Sequence, residues 1–223
     1  MDKKLFLEAI SKFFFGFIII CVLLFVPAGT LKYFNAWLFI GLLFIPMFIV
    51  GLYLMFKNPN ILKNRLEAKE KETEQKEVII LSGVMFISGF IVAGLNYRYI
   101  LFIMPNTVVI ISSIIFIISY ILYGEILREN AYLYRTIEVK ENQKLVDTGM
   151  YKIVRHPMYM ITIILFLSIP LILNSFISFI IFLMYPFIII KRIKNEEKVL
   201  EKDLKGYIEY EKRVKYRLIP YIW

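Results

Sequence analysis

The sequence contains a single cysteine and a single histidine among 223 residues. Cys21 has no partner for an internal disulfide and belongs to no spacing typical of a metal site. A disulfide scaffold and a structural zinc site are therefore excluded, and we expect no metal ion. Cys21 lies inside the first apolar run, where a lone cysteine acts as a small apolar side chain.

The chain also lacks internal repeats, a glycine-rich dinucleotide fingerprint and any recognisable nucleic-acid module. Its net charge is +9, which in a soluble protein suggests nucleic-acid binding. Here, however, the basic residues fall in the segments between apolar runs. That placement indicates contact with anionic lipid headgroups, with no nucleic-acid partner.

Long apolar runs dominate what is present. Hydrophobic residues make up 59% of the chain, and its mean hydropathy is +0.68. About 20 apolar residues span a bilayer as a helix, so the pattern predicts an integral membrane protein. The lysines before the first run imitate a signal peptide, but the run leads into further membrane segments. We interpret it as an uncleaved first helix. The six runs cover residues 13–28, 36–56, 78–95, 100–122, 158–173 and 175–190.

These runs predict an all-α polytopic membrane bundle of about six spans. The last two are short and flank a tight turn at Leu173-Asn174-Ser175, so they predict a helical hairpin over 157–191. We expect one structural unit, with an N-terminal membrane-helix scaffold over 1–125 and a C-terminal region over 126–223. The last span should continue into a charged tail, end near Gly206, and be followed by further helix over 207–214.

The distribution of basic residues predicts the orientation of the bundle. With six spans, one side of the membrane holds only Lys32 and Arg98 of the 27 lysines and arginines. Basic connections stay in the cytoplasm, so both termini are expected there. The base composition implied by the Ile, Phe and Lys bias suggests a bacterial plasma membrane.

Polar residues are concentrated just before the hairpin. Asp147-Thr148-Gly149 is typical of a turn, and Gly149 permits an unusual backbone conformation or a close approach. In Arg155-His156-Pro157 the proline fits the first turn of a helix, which places His156 at the mouth of the fifth span. Free backbone N–H groups there favour an anion, and Tyr159 stays near His156 on one helix face.

A second polar cluster follows the hairpin. Arg192 and Glu196 are four residues apart and share a helix face, while Glu197 follows directly. Charges at the end of an apolar hairpin that point into the bundle usually mark a site, with the carboxylate suited to a cation and the arginine to an anion. The alternatives are a solvated ion pair after the hairpin and, before it, a histidine and an arginine that only anchor a helix at the headgroups.

Together these segments resemble the isoprenylcysteine carboxyl methyltransferase family, which is grouped with the membrane phospholipid N-methyltransferases. The resemblance covers about residues 128–220. It rests on the order and spacing of several motifs, namely Arg135-Thr136-Ile137-Glu138-Val139-Lys140-Glu141-Asn142-Gln143-Lys144-Leu145-Val146, Thr148-Gly149-x-Tyr151, Arg155-His156-Pro157-x-Tyr159, Arg192-x-x-x-Glu196-Glu197 and Gly206-x-x-x-Tyr210.

The resemblance implies a cytoplasmic site for S-adenosylmethionine (SAM). Arg192 is implied to hold the carboxylate of the methyl acceptor. Lys140 stands where the family often has a cofactor-binding glutamine, and Gly149, Arg155 and Glu197 are expected to support the site. The residues implied to line the cofactor are Gln143, Lys144, Leu145, Val146, Tyr151, His156, Pro157, Met158, Tyr159 and Glu196.

The implied reaction is O-methylation of a carboxylate on a lipophilic, isoprenylcysteine-like acceptor. One alternative keeps the cofactor but methylates a phospholipid amine or a thiol, and an amine would need a proton acceptor such as Glu197. Another is an NADPH-dependent membrane sterol-type reductase, since those enzymes share a similar C-terminal region. A non-catalytic membrane protein is the third. The expected partners are the bilayer and the acceptor, with no obligatory protein partner; the oligomeric state stays open.

Overall fold

A computed structural model describes residues 3–66, 73–130, 132, 139 and 143–223. The described residues are mostly helical, with no strand among them. The α-helices are α1 (Lys3–Ala28), α2 (Phe34–Lys57), α3 (Pro59–Leu66), α4 (Thr73–Tyr99), α5 (Asn106–Glu129), α6 (Pro157–Ile172), α7 (Phe176–Phe182), α8 (Tyr185–Asp203) and α9 (Tyr207–Arg213), and a single 3-10 turn covers Gly149–Lys152.

The helices confirm the predicted all-α membrane bundle. Within the described part of the chain, five helical segments are long and apolar enough to cross a membrane, namely α1, α2, α4, α5 and α7 continued by α8. The shorter apolar helix α6 accounts for the sixth predicted span. Large apolar side chains on α1, α4 and α5 remain exposed, as expected for surfaces that face lipid.

Helix α6 lies at the centre of the bundle. It packs most extensively against α5, while α1 packs along α4, and α4 also contacts α7 and α8. Phenylalanines from five different helices meet in the buried core, among them Phe39, Phe90, Phe116 and Phe182. This packing fixes the start of α6 relative to α8, and the polar clusters lie at the start of α6 and in the middle of α8.

The hairpin differs from the expected pair of unbroken helices. Its second arm is interrupted at Leu183 and Met184, between α7 and α8. Pro186 has no N–H to donate to the carbonyl of Phe182, so the helix breaks and restarts with a proline in its first turn. Beyond this break, α8 continues into the charged tail as predicted, and α9 follows the left-handed Gly206 (φ 87°).

Candidate active site

A cleft opens at the N-terminal end of α6, between the segment that precedes α6 and the helices α8 and α9. Aromatic, aliphatic and charged side chains all contribute to its walls. The lining residues are Asn130, Tyr132, Gln143, Lys144, Leu145, Val146, Tyr151, Arg155, His156, Met158, Tyr159, Glu196, Leu200, Leu204, Tyr207 and Tyr210.

Nine of the ten residues implied to line a cofactor surround this one cleft. The exception is Pro157, which is buried at the first position of α6 and shapes the helix start. Arg155, expected to support the site, also lines the cleft, whereas Lys140 lies outside the described residues. The structure therefore brings together residues that are up to 53 positions apart in the chain, from Gln143 to Glu196.

The sequence did not assign several of the lining residues. Asn130 and Tyr132 follow α5, Leu200 and Leu204 extend α8, and Tyr207 and Tyr210 lie on α9. Among these residues, only Tyr210 belongs to a sequence motif, because it is the last residue of Gly206-x-x-x-Tyr210. The other five carry no motif. Asn130 and Tyr132 reach the cleft from the end of α5 and Leu200 from α8, whereas Leu204 and Tyr207 reach it because the chain after α8 folds back over the start of α6.

The tyrosines of the cleft are tied to one another. The Tyr210 hydroxyl donates to the carbonyl oxygen of Tyr151 at 2.7 Å, and the Tyr151 hydroxyl accepts from the Asn130 amide at 3.2 Å. The buried Tyr207 hydroxyl, in contrast, has no hydrogen-bond partner among the described residues. Burial raises the pKa of Tyr151, Tyr207 and Tyr210, so all three hydroxyls stay protonated at neutral pH.

A chain of hydrogen bonds leads out of the cleft along one face of α8. The Tyr159 hydroxyl donates to Glu196 Oε2 at 2.5 Å and accepts from Arg192 Nε at 2.7 Å. Arg192 also reaches the Gln75 side-chain oxygen at 3.5 Å. Glu196 lines the cleft, but Arg192 does not. Tyr159 thus stands between a carboxylate on the cleft side and a guanidinium on the α4 side.

Glu197 faces away from this chain and is 2% exposed. Its Oε1 lies 2.9 Å from Arg155 Nε and 3.1 Å from His156 Nε2, and its Oε2 lies 2.6 Å from Arg217 Nε. Arg155 also pairs with Glu211 at 3.2 Å. A carboxylate enclosed by these groups fixes the tail to the start of α6, so Glu197 is unsuited to accept a proton from a substrate amine.

Most of the N–H groups at the start of α6 that were expected to favour an anion already have an acceptor. The N–H of His156 donates to the carbonyl of Arg217 at 2.9 Å, and those of Tyr159 and Met160 donate to the carbonyl of His156. The His156 ring stacks on the Tyr159 ring with centroids 5.8 Å apart. His156 therefore contributes its ring to the cleft, and the tail carbonyl already occupies its N–H.

Gly149 is required by a close approach, although the approaching group is not a ligand. Its φ is +47°, and a Cβ at this position would lie 2.1 Å from the Glu129 carboxylate. That carboxylate accepts from the Thr148 hydroxyl at 2.8 Å. Gly149 therefore anchors the turn to the end of α5, which places Tyr151 and Arg155 at the cleft.

The fold and the cleft define a polytopic membrane protein with a polar site at one end of its bundle. Its fold is similar to the solved structure of the eukaryotic intramembrane Ras methyltransferase ICMT (isoprenylcysteine carboxyl methyltransferase). The similarity covers 97% of this chain and 84% of that one, with a TM-score of 0.55 and 18% sequence identity.

The sequence comparison is more local. Residues 114–202 match the model of the isoprenylcysteine carboxyl methyltransferase (ICMT) family, which confirms the resemblance read from the motifs. A stretch of 91 residues, 40% of this chain, is 32% identical to the delta(14)-sterol reductase of Mus musculus and spans 22% of that reductase. The solved structure shows the fold of this chain, and the family model matches about two fifths of its length.

Proposed function

We propose that this chain is a SAM-dependent membrane methyltransferase that O-methylates the carboxylate of a lipophilic acceptor. The observation that carries the proposal is the continuous contact from Glu196 through Tyr159 to Arg192. The Glu196 carboxylate lines the cleft and suits a positively charged ligand, whereas the Arg192 guanidinium lies outside the cleft and suits a negatively charged one. The contact through Tyr159 places these two sites side by side.

The cleft has the groups that a SAM site requires. SAM supplies a methyl group on a positively charged sulfur, and a cationic ligand is favoured by the negative charge of Glu196. Leu145 and Met158 give apolar walls, and the unpaired Tyr207 hydroxyl offers a hydrogen bond that no described residue takes. We assign cofactor binding to the cleft residues that the motifs implied, and we add Tyr207.

The acceptor is assigned to the α4 side of Tyr159. Arg192 presents a guanidinium there, and its planar fork matches a carboxylate. Gln75 is 1% exposed, and its side-chain nitrogen has no hydrogen-bond partner among the described residues. A carboxylate held by Arg192 would also accept from this amide, so we assign Gln75 as a second donor to the acceptor.

A carboxylate is nucleophilic without losing a proton, so the reaction needs no general base. The chain's own residues then act by orientation and by exclusion of water. Arg192 and Gln75 hold the acceptor, while the hydrogen bond from Tyr159 fixes the Glu196 carboxylate beside it. Correct alignment of two reactants is worth several kcal/mol of barrier, about 7–11 in well-oriented systems.

The proposed membrane placement follows the basic residues. The cleft lies at the end of the bundle that carries the lysine- and arginine-rich tail, so we place it in the cytoplasm, where SAM is made. The acceptor reaches Arg192 from the bilayer side of α4 and α8. A reporter fused to the C-terminus, active only in the cytoplasm, tests this orientation; an inactive reporter on a folded chain contradicts it.

A binding experiment tests the function directly. The purified chain should bind SAM and should transfer its labelled methyl group to an S-isoprenylated cysteine with a free carboxylate. The matching acceptor with an amidated carboxylate is the control, and it should remain unlabelled. Binding of SAM with transfer to a phospholipid amine or a thiol, and none to the carboxylate, would move the proposal to a different acceptor.

The reductase alternative has one observation in its favour, the similarity to part of the mouse delta(14)-sterol reductase. The same preparation should therefore be titrated with NADPH. Binding of NADPH and failure to bind SAM would favour the reductase, and binding of neither would favour a non-catalytic membrane protein.

A further inference from the structure

A second cavity lies at the opposite end of the bundle, about 24 Å from the first by the length of the 16-residue helix α6. Its volume is about 560 Å³, which falls within the usual range of ligand pockets. Ends of α1, α4 and α6 meet around it. Its lining includes Gly29, Asn96, Arg98, Phe102, Ile103 and Asn174.

Asn96 lines this cavity, and its buried side-chain oxygen lacks a donor among the described residues. The residue is 4% exposed, and its side-chain nitrogen donates to the carbonyls of Phe102 at 2.9 Å and Asn174 at 3.2 Å. These two bonds fix the orientation of the amide and use its nitrogen, so the oxygen Oδ1 is left to accept a hydrogen bond. In the described part of the chain, Oδ1 has no hydrogen-bond partner. A buried acceptor of this kind favours a ligand that carries an N–H or O–H donor.

The charge distribution of the cavity favours a ligand that carries both a positive and a negative charge. Three helices end here, at Ala28, Tyr99 and Ile172, and each C-terminus carries a partial negative charge. One helix, α2, begins here at Phe34, and its N-terminus adds one partial positive charge. The Arg98 guanidinium lies about 3.5 Å from the position of a Cβ on Gly29, so a full positive charge stands at the same cavity. An ammonium group suits the helix ends and Asn96, while a phosphate suits Arg98.

The rim of the cavity is apolar and faces outward. Ile100, Phe102 and Ile103 are 68%, 48% and 66% exposed. Tyr97 and Tyr99 flank Arg98, and tyrosines are enriched where a membrane protein meets the headgroups. The cavity therefore lies where a bilayer lipid can insert its headgroup and leave its acyl chains along the outer helix surface.

We propose that this cavity binds the headgroup of a bilayer phospholipid with a primary ammonium group, of the phosphoethanolamine type. Arg98 binds the phosphate, and Asn96 Oδ1 accepts from the ammonium. The site is independent of the cleft at the other end of α6 and requires no methyl transfer.

Three lipids with identical acyl chains separate the elements of this proposal. Phosphatidylethanolamine has both the phosphate and the N–H donors, phosphatidylcholine keeps both charges but has no N–H, and phosphatidylglycerol has hydroxyl donors but no positive charge. The full chain is purified in detergent with an equimolar mixture, and the lipid that stays bound is measured by native mass spectrometry. We expect phosphatidylethanolamine to be retained about tenfold over each of the others, as one charge-assisted hydrogen bond allows.

Variants at the same end of the bundle provide the matched controls. Arg98→Ala should reduce retention of phosphatidylethanolamine about tenfold, and Arg98→Lys, which keeps the charge, should restore most of it. Lys32→Ala removes an exposed basic residue outside the cavity lining and should leave retention unchanged. Melting temperatures confirm that each variant is folded.

Several results would overturn the proposal. Equal retention of phosphatidylethanolamine and phosphatidylcholine would exclude the role of Asn96, and a preference for phosphatidylglycerol would indicate a simple anion site. If Arg98→Ala retains lipid like the unchanged chain, the cavity does not hold the phosphate.

Discussion

Arg192 links the two halves of the proposed site, and its replacement tests whether their roles are separate. Its Nε donates to the Tyr159 hydroxyl, which also binds Glu196. Arg192 does not itself line the cleft. Arg192→Ala therefore removes the cation assigned to the acceptor, while Tyr159 and Glu196 keep their mutual hydrogen bond. We expect loss of turnover with cofactor binding intact.

The size of the effect follows from the contact that is lost. A fork of two charge-assisted hydrogen bonds between arginine and a carboxylate contributes about 3–6 kcal/mol. That loss corresponds to a fall in kcat/KM of roughly 10²- to 10⁴-fold. Arg192→Lys keeps the charge but not the fork, so its kcat/KM should lie between those of the unchanged chain and Arg192→Ala.

The assay measures methyl transfer from labelled SAM to an isoprenylated cysteine in proteoliposomes, with SAM affinity measured separately by calorimetry. The SAM dissociation constant of Arg192→Ala should change by no more than about twofold, as for groups without a shared ligand contact. Lys191→Ala is the control: this exposed neighbour pairs with Glu77, away from the cleft, and its loss should leave activity unchanged. A parallel loss of SAM affinity and turnover in Arg192→Ala would refute the division of roles.

Four further predictions test the other contacts. Glu196→Gln should weaken SAM binding about tenfold in calorimetry, because it removes the negative charge from the cleft; unchanged affinity would reject the assignment. Tyr207→Phe should weaken SAM binding a few-fold without lowering the melting temperature, because the hydroxyl has no partner among the described residues; a large loss of stability would show another role. Glu197→Gln should destabilise the chain by about 3–5 kcal/mol in denaturant melts, whereas exposed Glu201→Gln should not; equal melts would contradict the buried network. Gln75→Leu should raise the acceptor KM several-fold at unchanged SAM affinity, and an unaltered KM would remove Gln75 from the acceptor site.

The position of the membrane helices was predictable from the sequence because the signal is local. A bilayer requires about 20 apolar residues for each helix, and most of each apolar run in the chain is helical. The fourth run is a partial exception, because residues 100–105 connect α4 to α5 and the helix begins only at Asn106. The sequence signal for the break before α8 is also local, because Pro186 alone removes the hydrogen bond to the carbonyl of Phe182. The resemblance to the family named nine residues that line the cleft. The helix period relates only those on α6 and α8, whereas Gln143, Lys144, Leu145, Val146 and Tyr151 lie outside the α-helices.

The roles of Glu196 and Glu197 were not predictable in the same way. Adjacent helix residues point about 100° apart, so one faces the cleft and the other the tail. Which of the two faces the cleft depends on the rotation of α8 against α6, and the sequence carries no local signal for that rotation. The buried network of Glu197 with Arg155, His156 and Arg217 is therefore a result of tertiary packing.

The sequence by itself determined that this chain is a membrane bundle, where its helices lie, and which polar segments stand at the start and end of its hairpin. Only the tertiary structure decided that the tail folds back to add Tyr207 and Tyr210 to the cleft, and that Tyr159 bridges Glu196 and Arg192. The physical reason is range: helix formation and apolar burial depend on residues a few positions apart, whereas these contacts join residues 33 or more positions apart and depend on how whole helices pack.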